Sequence, residues 1–359
     1  MKIGVIGAGY WGPNLIRNLF ELGVLEIICD KSEKALNKVK KLPHAYNIKL
    51  TFTKNFKQVR EKMRIRPFEY HTAETIKEAL TILEKYGTEI KVIAGGTDLL
   101  LAMKQKKILP HHLLNLLEIN DLDYINDEPS EIRIGALAKH SYIASHPIIR
   151  NEATVLAEAT GMIGSWQIRN VATIGGNLCN ASPAADSAPP LLALNAKIVI
   201  ADSKNEKNLP ISSFFTGPGT TLLEPDQLLK EIIIPKTKSR RKANAYLKLT
   251  RRRGVDLALV GVAFHGELDE SGEKLKNVAI AMGGVAPTPI RALEAEAELT
   301  DLSYEKAIKK IPIAAKAAVA ATQPITDIRA TAEYRKDIVD VYVRRTATKV
   351  LNILFNKDG

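Results

Sequence analysis

Hydrophobic and polar residues first alternate in short blocks that predict strands separated by helices. Apolar strands are predicted at Lys2–Ile6, Val24–Cys29 and Ile48–Phe52. The segment Gly12–Leu22 has helical spacing, and Ser32 is a suitable N-cap for a second helix. Helices that connect apolar strands are typical of a parallel sheet. We therefore expect the chain to begin with a partial βαβ segment.

A second pattern begins at Met63 and mixes strands with helices. Thr72 is predicted to cap a helix, Gly87 is predicted to end it, and strand Ile90–Ala94 follows. Further elements are predicted as strands over Leu113–Leu117, Glu131–Leu137, Lys197–Ala201 and Ile232–Pro235 and as a helix over Asn151–Thr160. A basic run then reads as a linker, so we expect this domain to cover residues 63–238.

The remaining residues predict a third domain with both strands and helices. The predicted strands are Ala245–Thr250, Leu257–Glu267 and Leu275–Gly283, and the predicted helices are Tyr304–Ala321 and Ala332–Leu354. The predicted domains are therefore 1–62, 63–238 and 239–359.

Composition restricts the class of protein. The 359 residues are 45% hydrophobic and 25% charged, as in globular proteins, and no apolar run approaches the ~18 residues of a membrane span. The two cysteines, Cys29 and Cys179, are too few for a four-cysteine iron–sulfur cluster on this chain, and they fit a reducing compartment. No leader pattern is present at the N-terminus, so we expect a cytoplasmic protein.

Part of the net charge of +11 is local. Basic residues cluster between positions 240 and 253: Arg240, Arg241, Lys242, Lys248, Arg251, Arg252 and Arg253. Tyr246 is the one aromatic residue among them, whereas surfaces that bind nucleic acid interleave basic and aromatic side chains. We expect a solvated loop or a contact to an acidic partner, and no nucleic acid.

One glycine motif predicts a dinucleotide site. Gly7, Gly9 and Gly12 follow a strand and open a helix, and Asp30 ends the next strand. In this context the glycines let the backbone approach a pyrophosphate, and the carboxylate accepts from ribose hydroxyls. The segment resembles the Rossmann-type N-terminus of the family that includes glucose–fructose oxidoreductase and inositol 2-dehydrogenase. The motif makes NAD a second candidate cofactor. The resemblance ends after about 60 residues, so the alternative is that this segment is a fragment attached to the rest of the chain.

Two glycine-pair loops carry the strongest chemical signal. The first loop is Ala94-Gly95-Gly96-Thr97-Asp98-Leu99, and the second loop is Thr173-Ile174-Gly175-Gly176-Asn177. Glycine lets the backbone approach a ligand closely, and successive N–H groups form a concave anion site. Two such loops that converge would hold a pyrophosphate from both sides.

From Met63 onward the chain resembles the FAD-binding subunit of the molybdenum hydroxylases. That family includes xanthine dehydrogenase, aldehyde-type oxidoreductases and carbon monoxide dehydrogenase. Besides the two loops, the resemblance rests on Gln167–Ala172, Ala181–Asp186 and Phe214–Gly219. The order and spacing of these motifs extend the resemblance over essentially all of residues 63–359.

The resemblance implies an α+β protein. A two-subdomain FAD-binding fold of the p-cresol methylhydroxylase or vanillyl-alcohol oxidase type would precede a C-terminal α+β domain of the carbon monoxide dehydrogenase flavoprotein type. It also implies an oxidoreductase subunit that holds FAD non-covalently and passes electrons from [2Fe–2S] clusters to NAD⁺, a quinone or oxygen. The clusters and the molybdopterin would lie on a small and a large partner subunit, in a dimer of heterotrimers.

The resemblance further implies which residues contact FAD. One side of the diphosphate would be held by Val92, Ile93, Ala94, Gly95, Gly96, Thr97, Asp98 and Leu99, and the other by Thr173, Gly175, Gly176 and Asn177. Farther along the cofactor would lie Ser182, Asp186, Leu228 and Lys248. The alternatives are a helix cap for Asp186 and a solvated strand position for Lys248, and we expect Cys179 to be a packed residue without redox function.

No metal site and no catalytic residue for an organic substrate are expected on this chain. The histidines show no metal-ligand spacing, and His111 and His112 would point to opposite faces of a strand. Two other functions stay open: an NAD-dependent dehydrogenase that uses Gly7–Gly12, and a cofactor-free assembly subunit that docks through its basic stretch.

Overall fold

The computed structural model describes residues 3–6, 25–29, 32–40, 51–53, 67–239, 241–252 and 254–357. The chain divides into two compact units. One spans residues 1–69 and 98–111, and the other spans residues 70–97 and 112–359.

The first unit contains a parallel sheet of three strands. Strands β1 (Ile3–Ile6), β2 (Leu25–Cys29) and β3 (Thr51–Thr53) lie side by side in that order, and α1 (Glu33–Lys40) follows β2. The parallel pairing agrees with the βαβ alternation predicted from the sequence. The predicted helix Gly12–Leu22 lies outside the described residues.

The second unit begins with a small sheet that leads into the first glycine loop. Strands β4 (Glu69–Thr72), β5 (Ile90–Ile93) and β6 (His112–Asn115) form a sheet in the order β4-β6-β5, in which β5 and β6 are parallel. Helix α2 (Ile76–Tyr86) connects β4 to β5, and between β5 and β6 the chain passes through α3 (Leu99–Lys104), which belongs to the first unit.

The cap of α2 differs from the prediction. Thr75 caps this helix, because its side chain accepts a hydrogen bond from the N–H of Glu78 at 3.1 Å. Thr72, the predicted cap, is instead the last residue of β4. Both threonines precede the apolar stripe, but β4 extends to Thr72, and the helix begins after Thr75.

An antiparallel sheet of five strands follows in the domain that contains the two glycine loops. The strands are β7 (Ile125–Asp127), β8 (Glu131–Gly135), β9 (Lys197–Ala201), β10 (Glu206–Pro210) and β13 (Leu228–Pro235). They lie in the order β10-β9-β13-β8-β7, and β11 (Phe215–Gly217) pairs separately with β12 (Thr220–Thr221). Apolar residues on one face of this sheet, including Ile132, Ile198 and Ile232, form one buried cluster with the neighbouring helices.

Six short helices pack in this part of the molecule. They are α4 (His140–Ser145), α5 (Pro147–Glu152), α6 (Thr154–Gly161), α7 (Trp166–Arg169), α8 (Ile174–Cys179) and α9 (Ala188–Ala193). The helix predicted over Asn151–Thr160 is therefore two helices, because Ala153 leaves the helical region with φ −138° and ψ 49°.

The C-terminal part is an antiparallel sheet covered by helices. Strands β14 (Lys242–Leu249), β15 (Val260–Leu268), β16 (Leu275–Gly283) and β17 (Ile290–Arg291) pair in chain order, and α10 (Leu293–Ala297), α11 (Tyr304–Ala320) and α12 (Ala332–Leu354) follow. One face of β15, including Val262 and Phe264, is buried in a cluster with the two long helices. The opposite face turns Ala263 toward the buried cluster of the five-stranded sheet.

Candidate functional site

The first glycine loop passes directly against the chain that leads into the second loop. A Cβ atom placed on Gly95 would lie 2.1 Å from the carbonyl oxygen of Val171 and 2.9 Å from the Cα of Ala172. Both neighbours are backbone atoms, so no side-chain rotation relieves the clash. The absence of a side chain at Gly95 therefore lets the first loop lie directly against the residues that precede the second loop.

Gly96 turns the first loop with a φ of +68°, in the region that favours glycine. The N–H groups of Gly95 and Gly96 donate no hydrogen bond to any residue that the structure describes. Both glycines are half-buried. Such donors are available to water or to a ligand, and a diphosphate oxygen would be a suitable acceptor.

The second glycine loop uses its N–H groups inside the protein. Thr173 caps α8, and a Cβ atom on Gly175 would lie 2.6 Å from the carbonyl oxygen of Ala136 at the end of β8. Four consecutive N–H groups have internal acceptors: Ile174 donates to Ala138 O (3.0 Å), Gly175 to Ala136 O (2.8 Å), Gly176 to Thr173 Oγ1 (3.1 Å) and Asn177 to Thr173 O (3.0 Å). The second loop is thus anchored to the five-stranded sheet.

Asn177 joins the second loop to the segment that carries Asp186. The hydroxyl of Ser187 donates to the Oδ1 of Asn177 at 2.6 Å. Ser182 lies half-buried between them in sequence, and its hydroxyl accepts from the N–H of Ala184 at 3.3 Å. The bond to Asn177 orients the side-chain amide so that its Nδ2 is the remaining donor group.

A buried charge pair lies beside this segment. Asp186 accepts hydrogen bonds from Lys248 Nζ at 2.7 Å and from the hydroxyl of Tyr246 at 2.8 Å. The side chains of Lys248 and Asp186 are only 4% and 7% exposed. Lys248 also donates to the carbonyl oxygen of Met162 at 3.0 Å. The sequence named Asp186 and Lys248 separately, and the structure brings them together.

Burial and pairing act in opposite directions on Asp186. Burial is the largest effect and holds the pKa of this carboxyl group above its ordinary value, although the positive charge of Lys248 and the hydrogen bonds from Lys248 and Tyr246 lower it. Burial, followed by the charge of Asp186, raises the pKa of Tyr246 well above its ordinary value, so Tyr246 is a neutral donor. A buried carboxylate with these partners stabilises a cation at Lys248.

The structure excludes both alternative roles raised for this pair. Asp186 does not cap the following helix, because Ser187 is the N-cap of α9 and makes no side-chain cap bond. Lys248 is not a solvated strand position, because its side chain is buried. Cys179 is a free thiol that packs against the apolar core, and burial raises its pKa to about 12.

Tyr246 is a member of this site that sequence reasoning missed. It lies two positions before Lys248 on β14, and therefore on the same face of the strand. Gly261 on the neighbouring strand makes room for it, since a Cβ atom there would lie 2.5 Å from the tyrosine hydroxyl. That spacing is the sequence signal that could have found Tyr246.

The remaining predicted residues occupy three kinds of position. Leu228 is buried in one apolar cluster with Val92 and Ala94 packed against it, and Ile93 is half-buried at the end of β5. In the first loop, Thr97 is the last residue that belongs to the second unit, and Asp98 and Leu99 belong to the first unit. The residues Gly7, Gly9, Gly12 and Asp30 lie outside the described residues.

Two sequence families match this chain. The FAD-binding domain in molybdopterin dehydrogenase matches residues 66–237, and the carbon monoxide dehydrogenase flavoprotein C-terminal domain matches residues 245–350.

None of the helices in the described residues combines the length and apolar character needed to cross a membrane.

Individual relatives match over nearly their whole length. The carbon monoxide dehydrogenase medium chain of Hydrogenophaga pseudoflava is 33% identical over 278 residues, which are 77% of this chain and 95% of that relative. The glyceraldehyde dehydrogenase medium chain of Sulfolobus acidocaldarius is 32% identical over 283 residues, with 79% and 98% covered. A solved structure of carbon monoxide dehydrogenase from Hydrogenophaga pseudoflava that lacks the Mo-pyranopterin moiety has a TM-score of 0.76 at 33% identity, covering 80% of this chain and 98% of that chain.

The fold and the paired loops define a FAD-binding flavoprotein domain with a C-terminal α+β domain, so the predicted fold is confirmed. The chain belongs to the family of FAD-binding medium subunits of the molybdenum hydroxylases. It is an oxidoreductase subunit, and FAD is its cofactor.

Proposed function

We propose that this chain binds FAD non-covalently where the two glycine loops meet, and that it relays electrons within a molybdenum hydroxylase complex. One observation carries the proposal above the others. Gly95 brings the first loop against Val171 while its own N–H and that of Gly96 keep no acceptor among the described residues. Such a cradle fits a diphosphate.

The residues present fit the cofactor. The N–H groups of Gly95 and Gly96 would donate to the diphosphate, and the Nδ2 of Asn177 would reach it from the second loop. Lys248, held by Asp186, would place a positive charge along the cofactor, where it favours added negative charge. When bound, FAD takes up and releases electrons singly or in pairs, which links one-electron iron–sulfur centres to two-electron acceptors.

The relatives support a role within a larger assembly. Several are named as medium chains or FAD subunits of carbon monoxide, xanthine and nicotinate dehydrogenases. By this likeness, a large molybdopterin subunit and a small [2Fe–2S] subunit would be the partners, in a cytoplasmic dimer of heterotrimers. Electrons would leave to NAD⁺, a quinone or oxygen, and this chain would supply no acid or base for the organic substrate.

A titration of cofactor-free protein with FAD tests the proposal. We expect one FAD per chain by flavin absorbance after gel filtration, and quenching of flavin fluorescence on binding. FMN is the matched control ligand, because it has the same ring system without the pyrophosphate, and we expect it to bind at least about tenfold more weakly. Folded protein that takes up no FAD, or that binds FMN as tightly as FAD, would contradict the two-loop site.

A further inference from the structure

A pair of histidines lies on the small sheet that precedes the first glycine loop. His71 is on β4 and His112 is on β6, which are neighbouring strands. The Nε2 of His71 and the Nδ1 of His112 are 3.1 Å apart. The two residues are 41 positions apart in sequence, so spacing along the chain gave no sign of the pair.

An aromatic ring fixes the orientation of this pair. Tyr86, the last residue of α2, stacks on the ring of His112 with 4.0 Å between ring centroids and 29° between planes. It also contacts the ring of His71, with centroids 4.9 Å apart. Both histidines are half-buried. The contacts with Tyr86 restrict the orientation of both histidine rings. Little side-chain conformational entropy is therefore lost when a ligand binds to their nitrogens.

We propose that His71 and His112 form a binding site for a divalent transition metal ion. Zinc lies about 2.0–2.1 Å from histidine nitrogens, so two nitrogens in tetrahedral coordination are roughly 3.3 Å apart. The observed separation of 3.1 Å matches this geometry. A metal would replace the proton that the two rings now share, and water would complete the coordination.

Ligand chemistry restricts which ions fit. Imidazole pairs favour Zn²⁺, Ni²⁺ and Cu²⁺ over the oxygen-seeking ions Mg²⁺ and Ca²⁺. A bound ion would crosslink β4 to β6, and β6 pairs with β5, the strand that delivers the first glycine loop. The site would therefore stabilise the sheet on which the loop is mounted. Metal binding at this site does not require FAD, so it can be tested separately from the proposed function.

Calorimetric titration of untagged, chelator-treated protein with Zn²⁺ tests the site. We expect one equivalent of Zn²⁺ to bind the wild type and to raise its melting temperature. His71→Gln and His112→Asn keep a polar group near each ring nitrogen, and each should weaken Zn²⁺ binding by at least about tenfold. His111→Asn is the matched control, because it removes the exposed histidine next to His112 and should leave binding unchanged.

The outcomes separate the proposal from a purely structural pair. Loss of binding in both site variants, with their circular dichroism and FAD uptake kept, supports a metal site. The proposal is overturned if wild-type protein binds no Zn²⁺, or if the double variant H71Q/H112N binds it as the wild type does. Equal weakening by His111→Asn would also overturn it, because binding would then be nonspecific.

Discussion

The two glycine-pair loops share a sequence pattern but use their backbone in different ways. In each loop the first glycine is a contact point: Gly95 touches Val171, and Gly175 touches Ala136. In the second loop all four N–H groups from Ile174 to Asn177 have acceptors inside the protein. In the first loop the N–H groups of Gly95 and Gly96 have none among the described residues.

This difference shows that a glycine pair has two separable functions. Removing a side chain allows two backbones to meet, and a positive φ exposes donor groups to a ligand. The first loop does both, since Gly96 has a φ of +68°. The second loop mainly anchors, and its extra support is the bond from Ser187 to Asn177, next to the buried pair of Asp186 and Lys248.

The largest expected effect comes from breaking the charge pair beside the second loop. Asp186→Asn leaves Lys248 buried without its counter-charge, which should lower the free energy of unfolding by about 3–5 kcal/mol. Asp301→Asn is the control, because its pair with Lys276 is exposed and should contribute at most about 1 kcal/mol. Urea denaturation measures both variants.

The double variant Asp186→Asn/Lys248→Met sharpens that test. It removes both charges, so we expect it to recover more than half of the stability lost in Asp186→Asn. If Asp186→Asn is no less stable than Asp301→Asn, the buried pair does not stabilise the protein. The pair would then not contribute to the anchoring of the second loop.

Much of the fold and of the loop positions was predictable from sequence. Gly95, Gly96, Gly175 and Gly176 stand out because a glycine pair after a strand is a local pattern. What each N–H group does was not predictable, since the acceptors Ala136 and Ala138 lie far from the second loop along the chain.

Pairs formed by the tertiary fold were also beyond the sequence. Asp186 and Lys248 are 62 residues apart, and their hydrogen bond depends on how β14 lies against the FAD-type domain. His71 and His112 meet because β4 and β6 are neighbours, a strand order that no local pattern encodes. Local signals predict which residue types are available, and topology decides which of them meet.

An intermediate effect is expected where the first loop contacts Val171, just before the second loop. In Gly95→Ala the new Cβ atom would lie 2.1 Å from a backbone oxygen, and overpacking of this kind lowers stability by about 1–3 kcal/mol. To relieve this clash the first loop must move away from Val171, which displaces the N–H groups of residues 95 and 96. We therefore also expect FAD affinity to fall by about tenfold or more. Fluorescence titration and urea denaturation measure the two effects.

Gly161→Ala is the control for that substitution. A Cβ atom on Gly161 meets only the Cβ of Ala144, at 3.8 Å, so stability and FAD affinity should stay close to those of the wild type. If Gly95→Ala behaves like Gly161→Ala in both measurements, the close approach of the loops is not what forms the cofactor site.

The smallest expected effect tests the anchoring role of the second loop directly. Thr173→Val keeps the size of the buried side chain but removes the acceptor for the Gly176 N–H, and loss of such a cap lowers stability by about 1 kcal/mol. We expect FAD affinity to change by less than about threefold, because the hydroxyl faces the helix cap. If affinity instead falls tenfold while stability is kept, then Thr173 contacts the cofactor. In that case the second loop would bind the diphosphate through Thr173 as well as Asn177, and its role would not be mainly anchoring.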